Sequence, residues 1–325
     1  MRLPEAFVDF HDAIELSPLS EERINTAWGR LHSYLCDAFG LPVHYVYIQG
    51  SYANDTAVKP ADEDGEYDLD IVCLSGAGTP AEAIHKLTEV LGLDGDLAER
   101  IEPNESGRPC VRLRYADDPE GFGFHVDIVP AKGADPANVI EVPMRGHEGW
   151  RDSAPYLYTQ WCQQQGEQFL RVIRFLKRWR DVHGDGSIAS IVLQVLAAND
   201  LDRYATSDAE AVTGTLVSIR ERLSGFPDGP PEILNPVLRT ENLADRWTRE
   251  NYEKFCRELD EAVALAEAAL NEADEQAAHE RWQALFGEDF PATPADVKTQ
   301  ATGGPPPPPD FRDERQQAPT DERYG

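Results

Sequence analysis

The stretch IQGSYANDTAVKPADEDGEYDLDIVCL constrains this chain more than any other. A strand-like run ends in Gly50-Ser51, and a second strand-like run then carries Asp68 and Asp70 at spacing i, i+2. Side chains alternate along a strand, so the two carboxylates share one face while Leu69, Ile71 and Cys73 take the other. The strand is therefore one wall of a core with chemistry on its outer face. Two carboxylates held this close repel and want a divalent cation between them. A turn of small residues with exposed N–H groups suits a phosphate. The expectation is a site for Mg²⁺ and a nucleoside triphosphate.

A third carboxylate sharpens it. Val111–Tyr115 alternates apolar with basic residues, the turn ADDPEGFG follows, and Phe124–Val129 reads as the return strand of a hairpin. That return strand carries Asp127 between Val126 and Ile128. If it pairs beside Tyr67–Leu74, Asp127 joins Asp68 and Asp70. Two cations bridged by such a triad lower the pKa of an attacking hydroxyl and neutralise charge as pyrophosphate leaves. A lone aspartate on an alternating strand is as a rule merely solvent-facing; three in this arrangement point to catalysis.

Composition excludes several classes. The net charge of −29 over 325 residues argues against a grip on long DNA or RNA, which needs a basic surface. No apolar run approaches the roughly 20 residues of a membrane span, and no signal peptide is visible at the N-terminus. Cys36, Cys73, Cys110, Cys162 and Cys256 lie far apart without a CxxC pair, which predicts reduced thiols and a cytoplasmic location.

The spacing predicts a helix over Ser20–Phe39, a strand at Val43–Ile48, a short helix starting in Ala53–Val58, a polar loop at Pro60–Glu66 and a helix at Ala81–Leu91. A loop-rich stretch runs from Pro130 to about Pro155. Helical patterns then dominate at Trp161–His183, Ile188–Asp200, Asp208–Leu223 and Thr248–Ala273, with a last one ending near Phe286. The organisation expected is an α+β part (1–150), a helical part (151–290) and a Pro-, Gly- and charge-rich disordered tail (291–325).

With Gly50-Ser51, Asp68-x-Asp70 and Asp127 in hand, the sequence resembles the DNA polymerase beta-type nucleotidyltransferase superfamily. More narrowly it resembles the bacterial cGAS/DncV-like nucleotidyltransferases (CD-NTases) of CBASS anti-phage defence. The matching pieces are GSYANDTAVKP, EYDLDIVCL, HVDIVPA, RFLKRWR, SIVLQVL, ILNPV and WQALFGEDFP, which cover most of residues 40–290 in order. The resemblance implies an α+β fold: a polymerase-beta-type core, a twisted mixed sheet with flanking helices, joined to a helical C-terminal domain in a bilobed molecule with the active site in the cleft. It also implies an Mg²⁺-dependent enzyme, with Mn²⁺ as a possible substitute, that joins nucleoside triphosphates into a cyclic di- or trinucleotide messenger for a downstream effector. Asp68 and Asp70 would hold both metals, Asp127 would complete the one that activates the ribose hydroxyl, and Gly50 and Ser51 would hold the donor triphosphate. Lys177, in the family's K-x-W helix, and Ser190 would reach the same phosphates.

Other features stand beside this. Arg171, Arg174 and Arg178 share a helix face, either as a basic patch or as partners for surplus carboxylates. Lys59 is either a triphosphate contact or a surface lysine. Asn54-Asp55-Thr56 departs from the family's commoner Leu-Gly-Thr and sets a carboxylate near a phosphate site. His125 precedes Asp127 by two residues, more in keeping with a structural role. In some CBASS operons a ubiquitin-conjugation-like enzyme attaches the cyclase's tail to a target, and Gly325 is an unhindered terminal carboxylate for such transfer. The competing readings are a linear-oligonucleotide or small-molecule nucleotidyltransferase, and a catalytically silent nucleotide-binding scaffold.

Overall fold

The computed structural model describes residues 1–62, 65–183 and 187–297. The expected tail beyond Val297, Gly325 included, lies outside the described residues, as does part of the Pro60–Glu66 loop. In chain order the helices are α1 (Pro4–Ile14), α2 (Pro18–Phe39), α3 (Gly50–Ala53), α4 (Pro80–Leu91), α5 (Gly95–Ala98), α6 (Pro155–Gln163), α7 (Glu167–His183), α8 (Ser190–Asp200), α9 (Asp208–Ser224), α10 (Arg249–Asn271) and α11 (Glu275–Phe286). The strands are β1 (Val46–Gln49), β2 (Glu66–Cys73), β3 (Val111–Tyr115), β4 (Gly123–Pro130), β5 (Ile140–Pro143) and β6 (Trp150–Ser153). They fall into two compact units. A sheet unit holds Leu16–Asp55 and Asp62–Gln163; a helical unit holds Met1–Glu15, Thr56–Ala61 and the described residues from Gln164 onward.

In the sheet unit the strand order is β1-β2-β4-β3, with β2 and β4 parallel and the outer pairs antiparallel. Along β2 the apolar residues Tyr67, Leu69, Ile71 and Cys73 are buried. Leu113, Val126 and Ile128 extend the same apolar face with no exposure, and α2 and α4 pack on the sheet. Burying each such side chain contributes about 1.5–3 kcal/mol. The opposite face is polar only along the first half of β2. From Val72 onward it is sealed too, because Val72, Leu74, Ala131, Ile140 and Val142 form a second buried cluster beneath the β5–β6 hairpin. The sheet's wet face is thereby narrowed to the segment that carries the carboxylates.

In the helical unit the core is aromatic. Phe7 makes edge contacts with Phe175, Trp282, Phe286 and Phe290, and Phe10 stacks on Phe175 and Phe286. The arginines of α7 pair with carboxylates, as one of the two expectations had it: Arg171 with Asp208, Arg174 with Glu15, and the fully buried Arg178 with Asp289. Lys59 is half-buried; its carbonyl accepts from Arg178 and its amide donates to the Ile14 carbonyl.

Several elements differ from the sequence expectation. The helix expected in Ala53–Val58 begins a turn earlier, at Gly50, and ends where Asp55 takes a left-handed conformation (φ 55°). The helix expected over Trp161–His183 is two helices, broken before Gly166, whose φ of 88° no helix accommodates. The loop-rich 130–155 stretch contains the β5–β6 hairpin, and α1 had no counterpart in the sequence reading. Residues 291–297 carry a 3-10 turn at Pro294–Asp296, and His279 hydrogen-bonds the Pro291 carbonyl at 2.8 Å.

Candidate active site

Register assembles the site. Asp70 on β2 is the Cα partner of Asp127 on β4, of Gln49 on β1, and, through β4, Asp127 is the partner of Arg112 on β3. In-register neighbours on paired strands project to the same side, so Gln49, Asp70, Asp127 and Arg112 form one polar row across the sheet. One step toward the start of β2 lies a second row, Asp68, His125 and Arg114. The structure thus brings Asp68, Asp70 and Asp127 onto one face, as the sequence led us to expect. Asp68 is exposed; Asp70 and Asp127 are half-buried.

Gly50 is required where it stands. Its φ is 76°, and a Cβ there would fall 3.1 Å from Cγ of Asp70 and closer still to its carboxylate oxygen. Only a residue without a side chain permits both the turn and the approach of Asp70. Gly50 opens α3, whose N-cap residue Gln49 offers no side-chain cap to the first-turn amides. Those amides are the natural anion-facing groups of the turn, and half-buried Ser51 is the helix's second residue. The turn is anchored from two sides: the Tyr52 hydroxyl donates to Asn25 at 3.2 Å, and Thr159 donates to the buried Asn54 at 2.7 Å.

Asp55 answers the question its sequence raised. The turn needs a left-handed residue, which glycine supplies most cheaply and Asp or Asn supply next best. An aspartate stands here at a position chosen by backbone conformation.

Electrostatics follow from crowding. Burial, then Asp68, then Asp127 raise the Asp70 carboxyl well above its ordinary range, and Arg112 works against them. Arg112 forms a fork on Asp127, with Nε to Oδ1 and a terminal nitrogen to Oδ2 both at 2.7 Å. This pairing raises Arg112 further. Beside it, burial and the Asp127 charge push the Cys110 thiol up to about 12, so it stays protonated. His125 is buried with its Nδ1 3.3 Å from Glu66. Glu66 also pairs with Arg114, which reaches Glu102 at 3.0 Å, and Glu102 pairs with Arg108 at 2.6 Å.

The donor set suits a hard divalent cation: three carboxylates on adjacent strands, one of them strained toward protonation by its neighbours. Within 4.8 Å of one another the described residues gather a different set, His11, Asp12 and Glu15, in the helical unit. There the Arg174 guanidinium already engages two of the three, donating to His11 at 2.9 Å and to Glu15 at 2.7 Å. The three aspartates are less tightly drawn together, with Asp127 turned onto Arg112.

Lys177 and Ser190 belong to the helical unit. Lys177 is buried, with Nζ donating to the Thr56 carbonyl at 2.6 Å. Thr56 also accepts from Gln194 through its hydroxyl. Ser190 opens α8 and accepts from Arg180 at 2.6 Å. The sequence reading missed Arg112 as a site residue. Its alternation opposite Val111 and Leu113, counted across the hairpin, was the available signal.

Comparison with known proteins bears on the family and the fold. A family model described as the Second Messenger Oligonucleotide or Dinucleotide Synthetase domain matches residues 1–166, just over half of the chain. The chain is 27% identical over 285 residues to a c-di-GMP synthase of Roseivirga ehrenbergii, covering 76% of this chain and 73% of that protein. It is 23% identical over 316 residues to a cyclic AMP-AMP-AMP synthase of an Acinetobacter species, covering 90% and 86%. Its fold matches the Bradyrhizobium diazoefficiens CD-NTase CdnG, solved with GTP, at a TM-score of 0.70 and 19% identity over 89% of this chain and 96% of that one. A polymerase-beta-like α+β architecture, a carboxylate row beside a glycine turn and a family match over more than half the sequence converge: the chain belongs to the Second Messenger Oligonucleotide or Dinucleotide Synthetase family, the nucleotidyltransferases of CBASS defence that make cyclic second messengers.

Proposed function

We propose that Asp68, Asp70 and Asp127 are the catalytic carboxylates of this cyclic-oligonucleotide synthase and that they hold Mg²⁺, with Mn²⁺ as a substitute. The observation that carries the reading is the parallel pairing of β2 with β4, which sets Asp127 directly beside Asp70. When bound, divalent cations acidify the attacking ribose hydroxyl and balance charge on the departing pyrophosphate. The chain's own residues supply position. Gly50 lets Asp70 approach the turn, the first amides of α3 and Ser51 receive donor phosphate, and Arg112 orients Asp127. Lys177 and Ser190 are proposed phosphate ligands by their match to the family; Lys177 then exchanges the Thr56 carbonyl for a phosphate oxygen.

The substrates are nucleoside triphosphates and the product is read by a downstream effector. We assign residues 1–150 as catalytic core, 151–290 as helical domain and 291–325 as tail, with Met1–Glu15 and Thr56–Ala61 packing in the helical unit and residues 151–163 in the sheet unit. On the spacing of its cysteines we place the enzyme in the cytoplasm; separately, no described helix is long and apolar enough to cross a membrane. Conjugation of Gly325 by a ubiquitin-conjugation-like enzyme is a further part of the proposal, tested by deleting Gly325 and looking for loss of a covalent adduct.

One incubation tests the reading: protein, four labelled nucleoside triphosphates and Mg²⁺ or Mn²⁺, then phosphatase and mass spectrometry. A phosphatase-resistant cyclic product, absent from Asp68→Ala and Asp70→Ala proteins that still fold, is expected. A linear ladder points to the linear-product relatives, and no product under any condition to a silent scaffold.

A further inference from the structure

The polar row contains a cation of its own. Both oxygens of Asp127 accept from Arg112 at 2.7 Å, the strongest geometry available between these side chains. The partners are held in place rather than met by chance: they are opposite residues of one hairpin, and their side chains are only 14% and 22% exposed. Among the described residues, Asp68 and Asp70 carry no such fork, and Asp68 is exposed. The three carboxylates are therefore unequal before any metal arrives. Two are open to a cation, and the third is already balanced by a guanidinium. A divalent ion drawn onto Asp127 would sit beside that guanidinium, and two positive charges sharing one carboxylate repel.

We propose that Arg112 is a positioning residue that competes with the divalent cation for Asp127. Loading is ordered: the first cation goes to Asp68 and Asp70, and the second requires the Arg112 fork to open. The nucleotide-free enzyme is thereby kept short of full metal occupancy. This rests on the assignment of the three aspartates as metal ligands.

The test is Mn²⁺ binding to the full chain without nucleotide, followed by the electron paramagnetic resonance signal of free Mn²⁺. Arg112→Lys keeps the positive charge but cannot make the planar fork, and Arg112→Gln removes both. Losing a charge-assisted pair of this kind should tighten the weaker Mn²⁺ site by about tenfold in Arg112→Gln, with an intermediate gain in Arg112→Lys. The gain must vanish when Asp127→Asn is added. Lysine binding Mn²⁺ as weakly as wild type would reduce the effect to bare charge and overturn the fork. A gain surviving Asp127→Asn would overturn competition for that carboxylate. Absence of Mn²⁺ binding in wild type and in every variant would overturn the metal assignment itself, a distinct result. A second measurement needs no variant: the Arg112 Nε–H resonance of wild-type protein titrated with Mg²⁺ alone. It should lose its hydrogen-bonded shift as the second equivalent binds; a resonance unchanged at saturation overturns the proposal.

Discussion

Gly50 and Gly40 offer a matched experiment. Both have left-handed backbones, with φ of 76° and 63°. Around Gly40, which caps α2, an added Cβ meets nothing within 4 Å; at Gly50 it meets the Asp70 carboxylate. Gly40→Ala therefore measures backbone strain alone, about 1–2 kcal/mol before a small offset from the stiffer unfolded chain. Gly50→Ala carries the same strain plus the collision. The struck atom is the end of a side chain that can rotate away, so the extra stability cost should be only about 1 kcal/mol. Catalysis is different, because Asp70 can relieve the collision only by leaving its place in the carboxylate row. A displacement of about 1 Å at such a group costs on the order of 100-fold in turnover. Urea denaturation and pyrophosphate release, run on both variants, separate the two effects. The expected pattern is similar stability losses with turnover retained in Gly40→Ala and collapsed in Gly50→Ala. Turnover in Gly50→Ala within about threefold of Gly40→Ala would refute the claim that Gly50 exists to admit Asp70.

Three further outcomes follow from the same structure. Because Asp70 is raised above its unfolded value of 3.8 by burial, Asp68 and Asp127, the folded state holds a proton more tightly than the unfolded chain. Its stability contribution is present at low pH and is lost as pH rises from the ordinary carboxylate range through the raised value. Asp70→Asn should abolish activity assayed with Mg²⁺, yet in EDTA it should melt higher than wild type at neutral pH, with the difference shrinking on acidification. Asp55→Gly removes a left-handed non-glycine residue (φ 55°) and should stabilise the chain by about 0.5–1 kcal/mol in urea titration. Phe7→Ala empties the centre of the aromatic cluster and should cost about 3–5 kcal/mol, read by the same titration.

The sequence made the strand chemistry legible because a period of two leaves little choice. Asp68 and Asp70 had to share a face, and the β3–β4 hairpin had to carry Asp127 on one. What periodicity does not reveal is which strands pair, so the fork of Arg112 on Asp127 waited for the register. The β5–β6 hairpin was hidden because four-residue strands such as Ile140–Pro143 and Trp150–Ser153 are too short to show alternation above loop texture. The merged α6 and α7 reflect apolar residues that keep helical spacing across Gly166, where only the backbone angle breaks the run. Lys177 stands out by its neighbours in the chain, but its burial against the Thr56 carbonyl depends on a contact 121 residues away that no local pattern encodes.

The makeup of the helical unit bears on how the chain is made. Its core joins Phe7 and Phe10 of α1 to Trp282, Phe286 and Phe290, and the Trp282 indole donates to the Met1 carbonyl across 281 residues. At ribosomal speeds of about 5–20 residues per second, α1 emerges roughly 15–60 s before its partners exist. During that interval Phe7 and Phe10 have at most Phe175 of α7 to pack on and lack Trp282, Phe286 and Phe290, while the sheet unit already has all of its described strands. α1 is thus fully buried only once α11 exists, and a nascent chain stalled before α11 would present an aromatic face to chaperones.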